Sequence, residues 1–247
     1  DTTVAKIPAE LRDIPQAVNV VPEEVLRDQR ALSIQDALKN VPGVGMSHGD
    51  GQRDQVTIRG FSAISDQFVD GFRDDALYFR ALSNVARIEV VKGPAAVLYG
   101  RGSSGGLINR VTRKPGENVA SFTLSAGSWN TKRGEFDVGR VLAGGDAAFR
   151  LTGALERSGS FRQFQFLDRE TISPSMLLRP GADTELLIQA DYLRDARRGQ
   201  NDPFAQHAKR RRLDEDGCAS ERGVDADRRA AHVLDAPRKP ALQARQG

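Results

Sequence analysis

The glycines at 100, 102 and 105 are the residues whose types and spacing come nearest to a chemical motif. They stand in Gly100-Arg101-Gly102-Ser103-Ser104-Gly105, which meets the dinucleotide pattern Gly-x-Gly-x-x-Gly letter for letter. That loop works by bringing a pyrophosphate to backbone N–H groups at the start of the helix that follows. Here the next residues, Leu107 to Thr112, have strand character and run into Lys114-Pro115-Gly116. No acidic residue ends a second strand about 20 residues on, where ribose recognition would need it. A P-loop fails as well, because no Lys-Ser/Thr pair closes the glycines. Other reactive types are sparse. Cys218 is single, so it supports no intrachain disulfide framework. His48 stands alone in a polar, glycine-rich stretch and reads as solvated. No His, Cys or paired-carboxylate cluster up to Thr112 has metal-ligand spacing.

Stepping outward, strands must hold this loop. Arg87 to Lys92 places Ile88, Val90 and Val91 among charged neighbours, a strand pattern. Gly93-Pro94 turns the chain, since proline fixes φ and has no N–H for a ladder. Ala95 to Tyr99 has room for one helical turn, and Leu107 to Thr112 returns as a strand. Upstream, Ile14 to Val21 alternates like a strand. Pro22-Glu23-Glu24 starts a helix, with acids at its positive end. Ser33 caps a second helix over Ile34 to Asn40, with Ile34, Ala37, Leu38 and Val41 on one face. Met46 to Gln55 reads as a loop, Val56 to Phe61 as a strand, and Gln67 to Gly71 as a strand ending in the hairpin signal Asp70-Gly71. Asp74 to Leu82 reads as a loop or short helix carrying Tyr78 and Phe79. The expectation is a small α+β domain with a mixed sheet over residues 13–112.

Several blocks in this domain resemble one family. Val90-Val91-Lys92-Gly93-Pro94, Val97-Leu98-Tyr99-Gly100 and Gly105-Gly106-Leu107-Ile108-Asn109 are similar to the plug signature of TonB-dependent outer-membrane receptors, most of all the ferric-siderophore branch. Leu11 to Gln16, Ala37 to Val44, Ile58-Arg59-Gly60-Phe61 and Val69 to Asp74 agree, in the right order. The resemblance covers about Asp13 to Arg194.

From Val119 the apolar period becomes 2 and helical signals stop. Phe122, Leu124 and Ala126 alternate with Ser121, Thr123 and Ser125; Phe136 and Val138 alternate with Glu135, Asp137 and Gly139. The same holds around Phe149 to Glu156, Thr171 to Arg179 and Glu185 to Tyr192. These are roughly five segments of about ten residues, as membrane barrel strands read. A soluble meander with one wet face shows the same period. Ala143 to Asp146 and Pro180 to Asp183 are tight turns, and Arg157 to Asp168 is a long loop. With the plug leaving on the periplasmic side, the tight turns fall there and Trp129 falls in an outer aromatic girdle. Residues 113–198 are thus expected to form the first strands of an antiparallel transmembrane β-barrel. Receptors of this kind use about 22 strands, so the expectation is an incomplete barrel and a chain that does not transport as it stands.

Composition agrees with this reading without proving it. The chain has 247 residues, net charge +3, 39 % hydrophobic residues and mean hydropathy −0.46. No apolar run reaches the roughly 18 residues of a membrane helix, but barrel strands need none. The small net charge does not suggest a nucleic-acid partner. Residues 199–247 lose the pattern. Lys209-Arg210-Arg211-Arg212 precedes Asp214-Glu215-Asp216, and the segment reads as a disordered, non-family tail, with a frameshift after about Arg198 as one cause. A lipid-surface or nucleic-acid tail is the other reading.

The resemblance implies a non-enzymatic receptor in the outer membrane of a Gram-negative bacterium. A ferric siderophore would bind at the plug apex, and a TonB-type coupling protein would drive plug rearrangement. No cofactor is expected, and iron would enter only inside its chelate. Residues 1–12 are an extended segment; Thr2-Thr3-Val4-Ala5 is a candidate TonB box for strand addition, or a frayed terminus. Tyr99 is the first ligand-facing candidate or, equally, a packed aromatic. Arg73, Tyr78, Gln52 and Arg53 follow. Arg59, Arg87 and Lys92 are expected to pair with barrel carboxylates across the interface. The alternatives are a free-standing plug-like periplasmic interaction module, a receptor for another cargo such as cobalamin, or a nucleotide-binding enzyme resting on the glycine pattern alone.

Overall fold

The first described strand, β1 (Ala17–Pro22), is followed by the short helices α1 (Glu23–Asp28) and α2 (Ile34–Leu38). The structure is a computed structural model, and it describes residues 16–47, 53–93, 105–142, 144–161, 165–181 and 184–197. All of these lie in one compact unit. Helix α2 starts as its sequence dictates. Ser33 Oγ accepts from the Asp36 N–H at 3.2 Å, and Asp36 Oδ2 accepts from the Ser33 N–H at 3.1 Å, a reciprocal capping box. The helix then seats Ile34, Ala37 and Leu38 in the core.

The plug sheet adds β5 (Gln67–Val69), β6 (Phe72–Arg73), β7 (Val85–Lys92) and β8 (Gly106–Thr112), in the order β1-β7-β8-β5-β6. The β5–β8 pair is parallel and the others are antiparallel, so the sheet is mixed as expected. Every residue of β8 is buried, and its polar members Asn109, Arg110 and Thr112 are bonded to Glu89, Asp74 and Asp70. Asp70 (φ 50°) and Gly71 (φ 83°) form the hairpin turn between β5 and β6. Both lie in the left-handed region that a tight hairpin favours. Gly106 admits no side chain, because a Cβ would sit 2.0 Å from the Val91 carbonyl oxygen.

Two sequence expectations are corrected here. Met46 and Ser47 are not loop: they belong to β2 (Val44–Ser47), paired with β3 (Gln55–Ile58) through Met46↔Val56 and Ser47↔Gln55. The Val56–Phe61 stretch is not one strand, because Arg59 (φ 51°) and Gly60 (φ 84°) fold it into a hairpin with β4 (Phe61–Ser62). Arginine rarely takes positive φ, so only the glycine hinted at that turn.

A second sheet runs from β9 (Val119–Gly127) through β10 (Thr131–Val141) and β11 (Ala147–Ser158) to β12 (Leu167–Gly181), all antiparallel. Beyond β12 lie β13 (Thr184–Gln189) and β14 (Tyr192–Arg197), both paired to it. The sequence reading carried one continuous strand through Tyr192; the ladder instead breaks at Ala190 and Asp191. Ala190 stands opposite Pro174, where its N–H reaches the proline carbonyl at 3.1 Å but proline offers no N–H in return. Parity survives the break. Odd-numbered residues face inward on both sides of it, with Gln189 and Asp191 reaching the plug. Among the described residues the sheet does not close on itself.

This sheet is inside out by soluble standards. Its inward face buries Arg133, Asp137, Arg150, Glu156, Arg169, Thr171, Ser173 and Ser175. Its other face exposes Phe122, Leu124, Val138, Phe149, Leu155, Ile172 and Met176. The buried charges are paired: Arg150 grips Asp137 at 2.8 and 2.9 Å, and Arg133 bonds Glu156 at 2.6 Å and also Glu135. Trp129 (φ 59°) and Asn130 (φ 57°) make the β9–β10 turn. Trp129 packs near Phe161 of the β11–β12 loop, with ring centroids 6.2 Å apart, so these connections share one end.

Candidate functional site

At the end of the strand sheet marked by Trp129, the plug and the sheet together line a cavity of about 250 Å³. Helix α2 contributes Ile34 and Gln35, β2 contributes Met46 and Ser47, and residues 53–56 contribute Arg53, Asp54, Gln55 and Val56. Phe79 comes from the segment between β6 and β7, and Arg197 from β14. The Arg197 guanidinium lies 3.5 Å from the Phe79 ring centroid, a stacked cation–π contact. Asp195 holds that guanidinium, with Arg197 Nε donating at 2.6 Å, and itself accepts from Arg169 Nε at 2.9 Å. Arg53, the polar side chains of Gln35, Ser47 and Gln55, and the Phe79 face under Arg197 give the cavity the chemistry to hold a polar, oxygen-rich ligand. Asp54 also lines the cavity, with its Oδ2 accepting from the Arg80 N–H at 2.9 Å. Burial pushes its carboxyl above the usual carboxylate range, against the Arg80 N–H bond and the charges of Arg80, Arg110 and Arg169.

The sequence candidates scatter around this cavity. Arg53 lines it. Gln52, Tyr99 and Thr2 to Ala5 lie outside the described residues. Tyr78 turns away: its hydroxyl donates to Asp74 Oδ2 at 2.8 Å, and its ring lies 4.7 Å under the Arg80 guanidinium. Burial first, opposed by the Arg110 charge and aided by the Asp74 carboxylate, holds the Tyr78 phenol above its ordinary value. Arg73 is engaged with Ser65 O at 2.9 Å, with the Asp66 and Asp75 carboxylates, and over the Phe68 ring. Both read as scaffold. Phe79 and Arg197 are the residues that the sequence reading did not single out. Arg197 had a signal, because the period-2 parity of Gln189, Asp191 and Asp195 continues to it.

The expected plug–wall cations are also redistributed. Arg87 donates from Nε to Glu89 Oε1 at 2.9 Å, a partner inside the plug where one across the interface was expected. Residues two apart on a strand share a face, and the fully buried Glu89 needs its donors, Arg87 and Asn109. Arg59, from the β3–β4 turn, lies beside Gly93 just past Lys92 at the end of β7. Burial lowers the Lys92 ammonium, and the like charge of Arg59 adds to this. The cations that do bridge are Arg113 and Lys114. Arg113 reaches Glu23 at 3.1 Å and Asp137 at 3.4 Å. Lys114 Nζ bonds Asp70 Oδ2 at 2.7 Å and Gln189 Oε1 at 2.8 Å. Ser83 with Thr171 at 2.9 Å, and Asn84 Nδ2 to Asp191 at 3.1 Å, complete the interface. Among the described residues, no group of three or more His, Cys, Asp or Glu gathers at metal-binding distance.

Residues 10–107 match the family model described as the TonB-dependent receptor plug domain. Over these residues the chain is a TonB-dependent receptor plug domain, and siderophore receptors are among its relatives. It is 35 % identical over 199 residues to the probable TonB-dependent receptor BfrD of Bordetella pertussis, covering 78 % of this chain and 26 % of that protein. It is 34 % identical over 191 residues to the ferrioxamine receptor of Yersinia enterocolitica, covering 73 % of this chain and 27 % of the relative. Among solved structures, the closed form of the ferric-catecholate import receptor Fiu from Escherichia coli superposes with a TM-score of 0.75 at 29 % identity, over 80 % of this chain and 29 % of that one. The chain therefore spans about a quarter of the length of the curated relatives it matches. The mixed plug sheet followed by antiparallel strands in an unclosed sheet is the architecture of these receptors in part.

Proposed function

We propose that this chain supplies the plug and the adjoining wall strands of an outer-membrane receptor for ferric siderophores, with the chelate docking in the apex cavity. The observation that carries this is the cavity itself, where Arg53 of the plug and Arg197 of the wall meet around Phe79. The ferrioxamine and catecholate relatives support the cargo class. The outward apolar face of the strand sheet supports insertion in lipid, since a soluble chain rarely leaves so large an apolar face uncovered. That same face argues against a free-standing periplasmic module. Gln52 and Tyr99 are proposed to complete the site beside Arg53. Thr2 to Ala5 are proposed to pair as a strand with the coupling protein. The chain binds its cargo without covalent chemistry, and the iron stays with its chelator.

Trp129 is the single tryptophan and lies at the cavity end of the sheet, so its fluorescence reports binding. A ferric trihydroxamate and a ferric tris-catechol chelate serve as probes on the whole chain in detergent. One of them is expected to quench Trp129 with saturation. Arg53→Ala and Arg197→Ala are each expected to weaken that binding roughly tenfold, the usual cost of losing a charge-assisted contact. Absence of saturable binding by either chelate overturns the cargo assignment; unchanged affinity in both variants moves the site elsewhere. Ferric ion without a chelator is expected not to bind stoichiometrically, and tight one-to-one binding would contradict the assignment of iron to the chelate.

A further inference from the structure

The segment from Asp74 to Asn84 is neither helix nor strand, yet Arg80 within it is 1 % exposed. It has no ladder of its own, so side chains must set its shape. One atom does most of this. Asp74 Oδ2 accepts from Tyr78 Oη at 2.8 Å, from Arg80 Nε at 3.0 Å and from Arg110 Nη2 of β8. Arg80 Nη2 turns back to the carbonyls of Asp74 and Ala76 at 3.0 and 2.9 Å. Asp54 ties the same knot to the apex: its Oδ2 accepts from the Arg80 N–H at 2.9 Å, and its N–H donates to the Tyr78 carbonyl at 3.3 Å.

Beyond the knot, the segment touches the strand sheet in three places: Phe79 under Arg197, Ser83 on Thr171, and Asn84 on Asp191. It also faces two separate spaces. Phe79 lines the apex cavity, while Tyr78, Ser83 and Asn84 line a cavity of about 540 Å³ between plug and strand sheet. We propose that residues 74–84 form one strap with Asp74 as its catch, so that a change at Phe79 in the apex cavity is transmitted to the plug–wall contacts of Ser83 and Asn84. The physical reason is the concentration of restraint. Three donors, two of them guanidinium groups, on a single oxygen are held by its negative charge, and a neutral amide oxygen in its place binds them more weakly. A buried network of this kind loosens as a unit when its central acceptor is lost. The strap acts in this way whatever cargo the apex cavity takes.

Residue-resolved amide hydrogen exchange on the whole chain tests this without a ligand. The reporters are the N–H groups of Arg80 and Asp54 at the knot, and of Arg113, which donates to the Asn84 carbonyl at 3.0 Å. The control is Ile108, whose N–H donates to the Asp66 carbonyl at 3.0 Å outside the strap. In Asp74→Asn, the three reporters are expected to exchange faster together, by roughly tenfold or more, with Ile108 unchanged. Arg197→Ala, which acts only at the Phe79 end, is expected to speed Arg113 in the same direction by less. If Arg80 and Asp54 respond while Arg113 does not, the segment is not one strap. If Ile108 rises in step, or nothing changes, Asp74 is an ordinary core contact and the proposal is wrong. Should Asp74→Asn fail to fold, Tyr78→Phe removes one donor and keeps the charge; the same pattern is expected at smaller amplitude, with the same outcomes overturning it.

Discussion

The plug centres on Ile58, Ile88, Val90 and Ile108, each 0 % exposed, with Glu89 and Asn109 admitted among them by hydrogen bonds to each other, to Arg87 and to the Gly71 N–H. The strand sheet does the reverse. Its buried face holds Arg133, Asp137, Arg150, Glu156 and Arg169, while Leu124 and Leu155 are 74 % and 62 % exposed. Both regions alternate in sequence, and both pair their buried charges. What differs is the solvent each outer surface is matched to. The plug is built as a water-soluble domain, with the hydrophobic effect holding its centre. The sheet exposes an apolar face instead, and backbone ladders with ion pairs on its buried face carry its cohesion. Where the two meet, the contacts are polar: Arg113, Lys114, Ser83 and Asn84 against Asp137, Gln189, Thr171 and Asp191. A polar interface is one along which the two bodies can rearrange without exposing oil to water.

The largest effect that could break this contrast is expected inside the sheet. Arg150→Met removes both short bonds from the buried Asp137, leaving it Arg113 at 3.4 Å, and should lower stability by about 3–5 kcal/mol, measured by denaturant unfolding in detergent; a loss near zero would mean that the sheet's polar face is not its core. In the plug, Ile108→Ala should lower stability by about 2–5 kcal/mol through lost burial and a cavity, in the same assay. Leu151→Arg on the sheet's outward face sharpens the contrast, because its cost should depend on the surround. About 2–4 kcal/mol is expected in lipid vesicles near the midplane, and within about 0.5 kcal/mol for an ordinary water-facing substitution; equal small costs in both media would make the face a wet one. Ser33→Ala removes the α2 capping box and should lower plug stability by about 1 kcal/mol, without altering the sheet's thermal transition.

The smallest expected effect concerns pH. Burial holds the Tyr78 phenol above its ordinary value of 10.0. A raised folded value means that the native state keeps its proton after the unfolded chain has lost its own. Plug stability should therefore fall as pH rises beyond about 10, and Tyr78→Phe should flatten that decline. Tyrosinate absorbance during alkaline titration checks this directly: one of the three tyrosines should titrate late in the wild-type chain, and that late component should vanish in Tyr78→Phe.

Much of the fold was legible because its signals are local. Ser33 followed by Asp36 announces α2, Asp70-Gly71 announces the β5–β6 turn, and the period-2 runs from Phe122 to Tyr192 announce the second sheet. Three features were not. The turn at Arg59 uses a residue type that does not advertise positive φ, β2 is too short to stand out from its glycine-rich flanks, and the break at Ala190 is caused by Pro174 on the neighbouring strand. The site was legible only at Arg53. Tyr78 and Arg73 are the right types for a ligand, but their polar atoms are taken by Asp74, Ser65 and Asp66, none of which their own spacing reveals.

By itself, the sequence determined the element types, the mixed plug sheet, the change of period at Val119 and the family, since each rests on residues close together in the chain or on motifs repeated in order. Only the tertiary structure decided which charges meet. Arg197 stacks on Phe79 across 118 positions of sequence, and Lys114 reaches Gln189 while Arg87 stays with Glu89. Short-range pattern sets which face of a strand a side chain occupies. Which opposite charge lies within hydrogen-bond reach of it depends on how two separately patterned sheets pack, and no period in the chain encodes that distance.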